Sequence, residues 1–252
     1  MELLSDPLFV AAALLGVTML GVSKGGFFGL GVMALPLMSL FVHPLQAAAI
    51  ILPTALAQDV LTVWTYRHNW SAWNLKIMLP SMTVGIGIAW LMAASLSPAH
   101  IRLAIGLIAA LFVIRHWLAG HIECFISPNT ATGIVFGGIG GVTTMLANAG
   151  GPAWQMHLLP QNLDKFTYVG TVTMLFASSN IIKVPAFATL GYLTADNLLV
   201  GAALIPVAVA TNYLGIWLVR RTPVGLFFRI AYVLMFLIAV ELIRSSAVAL
   251  WG

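Results

Sequence analysis

Apolar residues run through this chain in long blocks rather than in alternation. Residues 8–20, 45–64, 77–96, 101–114, 198–219 and 226–242 are apolar on every helical face, the pattern of segments surrounded by lipid. Ten-residue stretches of alternating polarity, which a membrane barrel needs, do not occur, so the blocks predict an all-α integral membrane protein, a polytopic helical bundle. Two places interrupt the pattern: Gly21-Val-Ser-Lys-Gly-Gly-Phe-Phe-Gly-Leu-Gly31 and Ala147-Asn-Ala-Gly-Gly-Pro-Ala-Trp-Gln155. A glycine-rich break leaves backbone polar groups unpaired, and hydrocarbon tolerates that only where they face protein, water or a ligand. Paired breaks in two halves of a membrane protein point to a transporter's substrate site.

The landmarks around the breaks repeat. In the first half the break leads to Pro36, a helix through Asp59, a turn ending Trp73-Asn-Leu75, a segment with Pro80, then Ser97-Pro98 and a helix beginning near Arg102. In the second half Gly150-Gly-Pro152 leads to a helix through Asn180 and Lys183, a turn ending Asp196-Asn-Leu198, a segment with Pro206, then Thr222-Pro223 and a helix beginning near Arg229. The spacing of about 120 to 127 residues predicts one duplicated unit, residues 1–120 and 121–252, forming a single membrane domain. Each repeat then has about five apolar segments, the second of them short (residues 30–42 and 152–159), too short for the about 20 residues that cross a bilayer. The short segments read as halves of broken or re-entrant helices. Repeats that cross an odd number of times run in opposite directions, so the two are predicted to be inverted.

Charge sets the orientation. With the Arg67-His68 loop cytoplasmic, Lys76, Arg115, Lys165, Arg220, Arg221 and Arg229 also fall at cytoplasmic ends, leaving Arg102 and Arg244 outside. Both termini are therefore predicted to face outward. Trp64, Tyr66, Trp70 and Trp73 around that loop read as an interfacial aromatic belt. Of 252 residues 61% are hydrophobic and 7% charged, far from the roughly 25% charge of a soluble domain. The net charge of +4 is scattered over connections rather than gathered in a stripe, which argues for topology and against a nucleic-acid partner. The first residues lack a basic n-region and a cleavage site, so the first apolar block is expected to stay in the mature protein. The single cysteine, Cys124, excludes an internal disulfide and a one-chain thiolate cluster.

Polar residues inside apolar blocks carry the candidate chemistry. An ionised side chain at mid-membrane costs on the order of 2.5 to 3.5 kcal/mol, so Lys24, Asp59 and Lys183 should face the bundle interior or a wet cavity. Lys24 has two readings. It snorkels to the headgroups, or, with Ser23, Gly25 and Gly26 and the positive end of a broken helix, it binds a small oxyanion. The second reading is preferred. Asp59 and Lys183 hold nearly matching places in the repeats, as a structural ion pair or as a proton-carrying acid with a base that balances its charge. Asn148, Gly150, Gly151 and Gln155 at the second break, with Asn180 and Gln46, supply neutral donors or helix-to-helix hydrogen bonds. The histidines, including His43, His68, His100, His116, His121 and His157, show no paired ligand spacing, so no metal or other cofactor is expected. A phosphate loop is absent, which excludes an ATPase module. Gly133, Gly137 and Gly141 fit small-residue helix packing.

Ser23-Lys-Gly-Gly-Phe27 with Gly29-Leu-Gly31 and Pro36, Gln46-Ala-Ala-Ala-Ile50, Leu52-Pro53 and Asp59, and in the second half Ala149-Gly-Gly-Pro152, Leu159-Pro160, Leu163-Asp-Lys165, Gly170-Thr171 and Asn180 through Lys183 resemble the sulfite exporter TauE/SafE family, the TSUP permeases. The resemblance spans nearly the whole chain. It implies a non-enzymatic permease of the bacterial cytoplasmic membrane for small sulfur-containing anions such as sulfite or organosulfonates. Relatives often carry histidine in the second motif where this chain has Asn148, which shifts any proton-carrying role towards Asp59. The resulting expectation is a secondary transporter that rocks one repeat against the other around a midplane site. Ser23, Lys24, Gly25, Gly26, Asn148, Gly150, Gly151, Gln155 and Asn180 would bind the anion, Asp59 and Lys183 would balance charge, and protons would be the coupling ion. An anion channel and a non-transporting accessory subunit are the alternatives. The oligomeric state, a homodimer included, stays open.

Overall fold

The computed structural model describes residues 3, 5–25, 30–118, 127–219 and 225–251. Gly26, His121, Cys124, Arg220 and Arg221, on which the sequence placed expectations, lie outside them, as do the side chains of Arg115, His116 and Arg229. The described residues form ten α-helices and no strand: α1 (Pro7–Lys24), α2 (Ala34–Met38), α3 (Pro44–Tyr66), α4 (Ala72–Ser95), α5 (Pro98–Leu118), α6 (Thr130–Ala147), α7 (Gly150–Leu158), α8 (Lys165–Thr189), α9 (Ala195–Val219) and α10 (Gly225–Trp251). Six of them, α1, α3, α4, α6, α8 and α9, contain windows long and apolar enough to cross a membrane. The short segments are short indeed. α2 has 5 residues behind a 3-10 turn (Leu30–Met33), and α7 has 9 ahead of another (Leu159–Gln161).

Helix starts follow capping chemistry. The Asp6 side chain accepts from the Leu8 amide at 2.9 Å with Pro7 in the first turn, and Asp164 accepts from the amides of Phe166 and Thr167, both at 3.1 Å. Asn129 and Thr132 form a reciprocal capping box on α6. Caps also move two boundaries from their predicted places. Ser71 caps α4, so Trp73-Asn-Leu75 is the first helical turn and not the end of a turn. α5 begins at Pro98, several residues before Arg102, because proline lacks only an N–H that the first turn leaves unpaired anyway.

The main packing pairs cross between the two halves of the sequence: α1 with α9, α4 with α6, α3 with α8 and α9, and α5 with α10. Glycine permits the closest of these approaches. A Cβ on Gly215 of α9 would lie 2.7 Å from the Val22 carbonyl oxygen of α1, and one on Gly137 of α6 would lie 2.9 Å from that of Met78 on α4. Backbone against backbone is how membrane helices gain contact when lipid tails are as apolar as any leucine. α3 and α8 run antiparallel. The Ser71 amide beyond α3 donates to Thr171 Oγ1 near the start of α8 at 2.9 Å, while Gln46 at the start of α3 donates to Asn197 Oδ1 beyond the end of α8 at 3.0 Å. Tyr66 departs from the expected aromatic belt: Trp64, Trp70 and Trp73 are exposed, but Tyr66 is buried where the end of α3 packs on Gly170.

Candidate functional site

The two breaks meet α3 and α8 at the centre of the bundle. Lys24, in the last turn of α1, is 6% exposed, Asp59 5% and Lys183 3%. The Lys24 ammonium forms an ion pair with Asp59 Oδ1 and donates to the Ala55 carbonyl at 3.0 Å. Snorkelling is therefore not its arrangement. Asp59 Oδ2 accepts from Asn180 Nδ2 of α8 at 2.7 Å. Lys183 donates to Asn148 Oδ1 at 3.0 Å.

The expected pairing of Asp59 with Lys183 is not what the structure holds. On two antiparallel helices a given residue meets only the part of its partner that lies level with it, and the α8 residue that meets Asp59 is Asn180. Lys183 sits three residues further along α8, about 4.5 Å of helix rise, and reaches the second break. Each lysine thus joins a break to a long helix, and the contacts Lys24 to Asp59 and Asn148 to Lys183 both span 35 residues of sequence. The three ionisable groups comprise two cations and one carboxylate. Their hydrogen-bond partners here are the Ala55 carbonyl and the Asn180 and Asn148 amides.

Local backbone explains how the second break is made. Asn148 adopts φ 53° in the left-handed region, which asparagine tolerates better than most residues. Its amide bonds to Thr144 O at 3.1 Å and the Ala149 amide to Thr143 O at 3.2 Å, the paired bonds that close a helix end. α7 then starts at Gly150 with no side-chain cap. Its first-turn amides and positive dipole end are left for whatever faces them.

The first break differs from expectation. Lys24 stands at the C-terminal end of α1, and the Gly25 amide is already bonded to Gly21 O at 3.0 Å. Among the described residues, the helix N-terminus that shares a cavity with Lys24 is that of α7, through Gly151. Gly25 packs against Gly215 and Ile216 of α9, a contact close enough to require glycine.

Two small cavities lie side by side here. One, of about 20 Å³, is lined by Ser23, Lys24, Asn148, Gly151, Phe176 and Asn180 among others. The second, of about 10 Å³, is lined by Thr144, Asn148, Asn180, Lys183 and Phe187 among others. A space of 10 to 15 Å³ holds about one water. The site is thus closed around polar groups, with no room for a polyatomic anion until helices shift. The Asn180 Oδ1 and Thr144 Oγ1 atoms are buried without a hydrogen-bond partner. Gly150 packs against Trp154, and Gln155 lines neither cavity. Gln46 is spent on Asn197 at the bundle end.

Sequence reading missed a second polar cluster. His157, fully buried, contacts Thr132 Oγ1 and Asn74 Oδ1, both at 3.0 Å, and Gln161 exchanges two 2.9 Å hydrogen bonds with Asn74. The only sequence signal was that His157 and Gln161 stand four residues apart at the end of the second short segment. The cluster ties α4, α6 and α7 together at the Arg67 end of the bundle.

The family model described as sulfite exporter TauE/SafE matches residues 10–242. No curated protein and no solved structure matches the chain.

Proposed function

The chain belongs to the sulfite exporter TauE/SafE family, and on that premise we propose that it is a secondary transporter of a small anion, a sulfur oxyanion such as sulfite or an organosulfonate, working by alternating access. The observation that carries this reading is the charge inventory of the core: Lys24 and Lys183 against one carboxylate, Asp59, all buried beside cavities. A charge left over in low dielectric is costly, and a monoanion arriving there neutralises it. Lys24, the α7 amides and the two asparagines would hold the anion. The family name supports sulfur as its central element.

Two inverted repeats, residues 1–120 and 121–252, form the framework of this proposal, and the exchange of packing partners supports it. α1 lies on α9 as α6 lies on α4, while α3 meets α8 and α5 meets α10. α2 and α7 would be the re-entrant halves, since at 5 and 9 residues neither spans. The anion at Lys24 competes with Asp59 for the same ammonium. A proton delivered to Asp59 releases Lys24 to the anion, so proton and anion would travel together.

Counterflow tests the carrier. Purified protein in proteoliposomes preloaded with sulfite should take up external labelled sulfite several times faster than empty vesicles. A flux without trans-stimulation would make it a channel, and no flux of sulfite, thiosulfate or methanesulfonate would sink the proposal.

The bacterial cytoplasmic membrane with both termini outward is the proposed setting. Arg67 and Lys165 share one end of the bundle through the contact of Ser71 with Thr171, in keeping with a positively charged cytoplasmic face. On a Cys124→Ala background, cysteine at Arg67 should be shielded from an impermeant thiol reagent in intact cells, and cysteine at Ala99 labelled. The reverse pattern would invert the topology.

A further inference from the structure

Four residues of α8 line the two cavities in order: Phe176 the first, Asn180 both, Lys183 and Phe187 the second. From Phe176 to Phe187 the helix rises roughly 16 Å, so the residues that line the two cavities are spread along α8. Asn148 and Asn180 line both and stand between them. Each cavity has a lysine, and each has a phenylalanine on α8 at its far side.

The two lysines differ in what already holds them. Lys24 has a carboxylate partner in Asp59. Lys183 has the neutral oxygen of Asn148, and no ion pair with it occurs among the described residues. The Thr144 hydroxyl, 1% exposed and without a partner, also lines the second cavity. A lysine bonded to a neutral amide oxygen and an unused hydroxyl face one small space.

We infer that Lys183 and Thr144 form a second anion station, in series with the Lys24 station and parted from it by the Asn148 and Asn180 amides. This rests on the anion-transporter reading above. Its ligand is a small singly charged oxyanion that accepts hydrogen bonds from an ammonium and a hydroxyl. Once the helices shift and the second cavity widens, the Lys183 station is the one open to such an anion, because Asp59 already occupies Lys24. Passage between the stations is an exchange: the anion reaches Lys24 when Asp59 lets go, and Asn180, which now donates to Asp59 Oδ2, turns its amide to whichever anion is near. Two shallow stations in place of one deep one let an anion bind and still leave.

The test uses the full chain, with sulfite and methanesulfonate as probes, equilibrium binding in detergent and counterflow in proteoliposomes. Lys183→Gln should weaken binding of both probes at least about tenfold, and Lys183→Arg should recover most of that loss. Lys24→Gln combined with Asp59→Asn removes the first station as a neutral pair. That variant should bind both probes yet lose nearly all counterflow, because the path ends at Lys183. Should Lys183→Gln fail to fold, the near-isosteric Thr144→Val carries the decision, with an expected loss of at least about threefold in affinity. Well-folded Lys183→Gln, or Thr144→Val in its place, with wild-type affinity and wild-type counterflow overturns the second station. Wild-type protein that neither binds nor moves either probe overturns instead the transporter reading on which it rests.

Discussion

Lys24→Gln and Asp59→Asn should each destabilise the purified protein by about 3 to 5 kcal/mol, and the double variant should recover most of that loss. Both groups are buried and bonded to each other, with Ala55 O and Asn180 completing the set. Removing one partner leaves the other's charge in a low-dielectric interior, whereas removing both leaves two amides that can bond to one another. Asp59→Asn combined with Lys183→Gln should not recover in this way, since Lys183 is bonded to Asn148 and not to Asp59. Unfolding in detergent, run as a double-mutant cycle, measures all of this. Additive losses for Lys24→Gln and Asp59→Asn would mean that the pair does not stabilise the fold.

The second large effect concerns energy coupling. In Asp59→Asn protein Lys24 loses its internal counter-ion, so an external anion is the partner left to it. Sulfite should therefore raise the thermal stability of this variant more than that of wild type. Counterflow should persist, yet an imposed proton gradient should drive no accumulation, because the carboxylate that would carry the proton has gone. Gradient-driven accumulation by folded Asp59→Asn protein would remove Asp59 from the coupling step.

The sequence revealed the helical blocks, both breaks and the shortness of α2 and α7, because lipid imposes length and apolarity on anything that crosses and tolerates irregular backbone only where it is covered. Lys24, Asp59, Asn148, Asn180 and Lys183 were also legible, since polar groups in apolar blocks are conspicuous. Their pairing was not. Which acid meets which base depends on where α3 crosses α8 and on the rotation of each about its axis, and neither leaves a mark in residue order. That Lys24 stands at a helix C-terminus was hidden for a similar reason: glycines announce an interruption but do not say which end of a helix lies beside them. His157, Asn74 and Gln161 escaped notice because each alone looks like an ordinary residue at a segment end.

The glycine seam between α1 and α9 bears on how the chain is made. α1 is synthesised before α9, and the surface that receives Val22, around Gly215, follows about 190 residues later, so this close packing forms late. During that interval Lys24 need not wait uncovered. α3, which bears Asp59, follows soon after α1, and the ion pair between them lets the two helices settle in lipid as an electrically neutral couple before the rest of the bundle arrives.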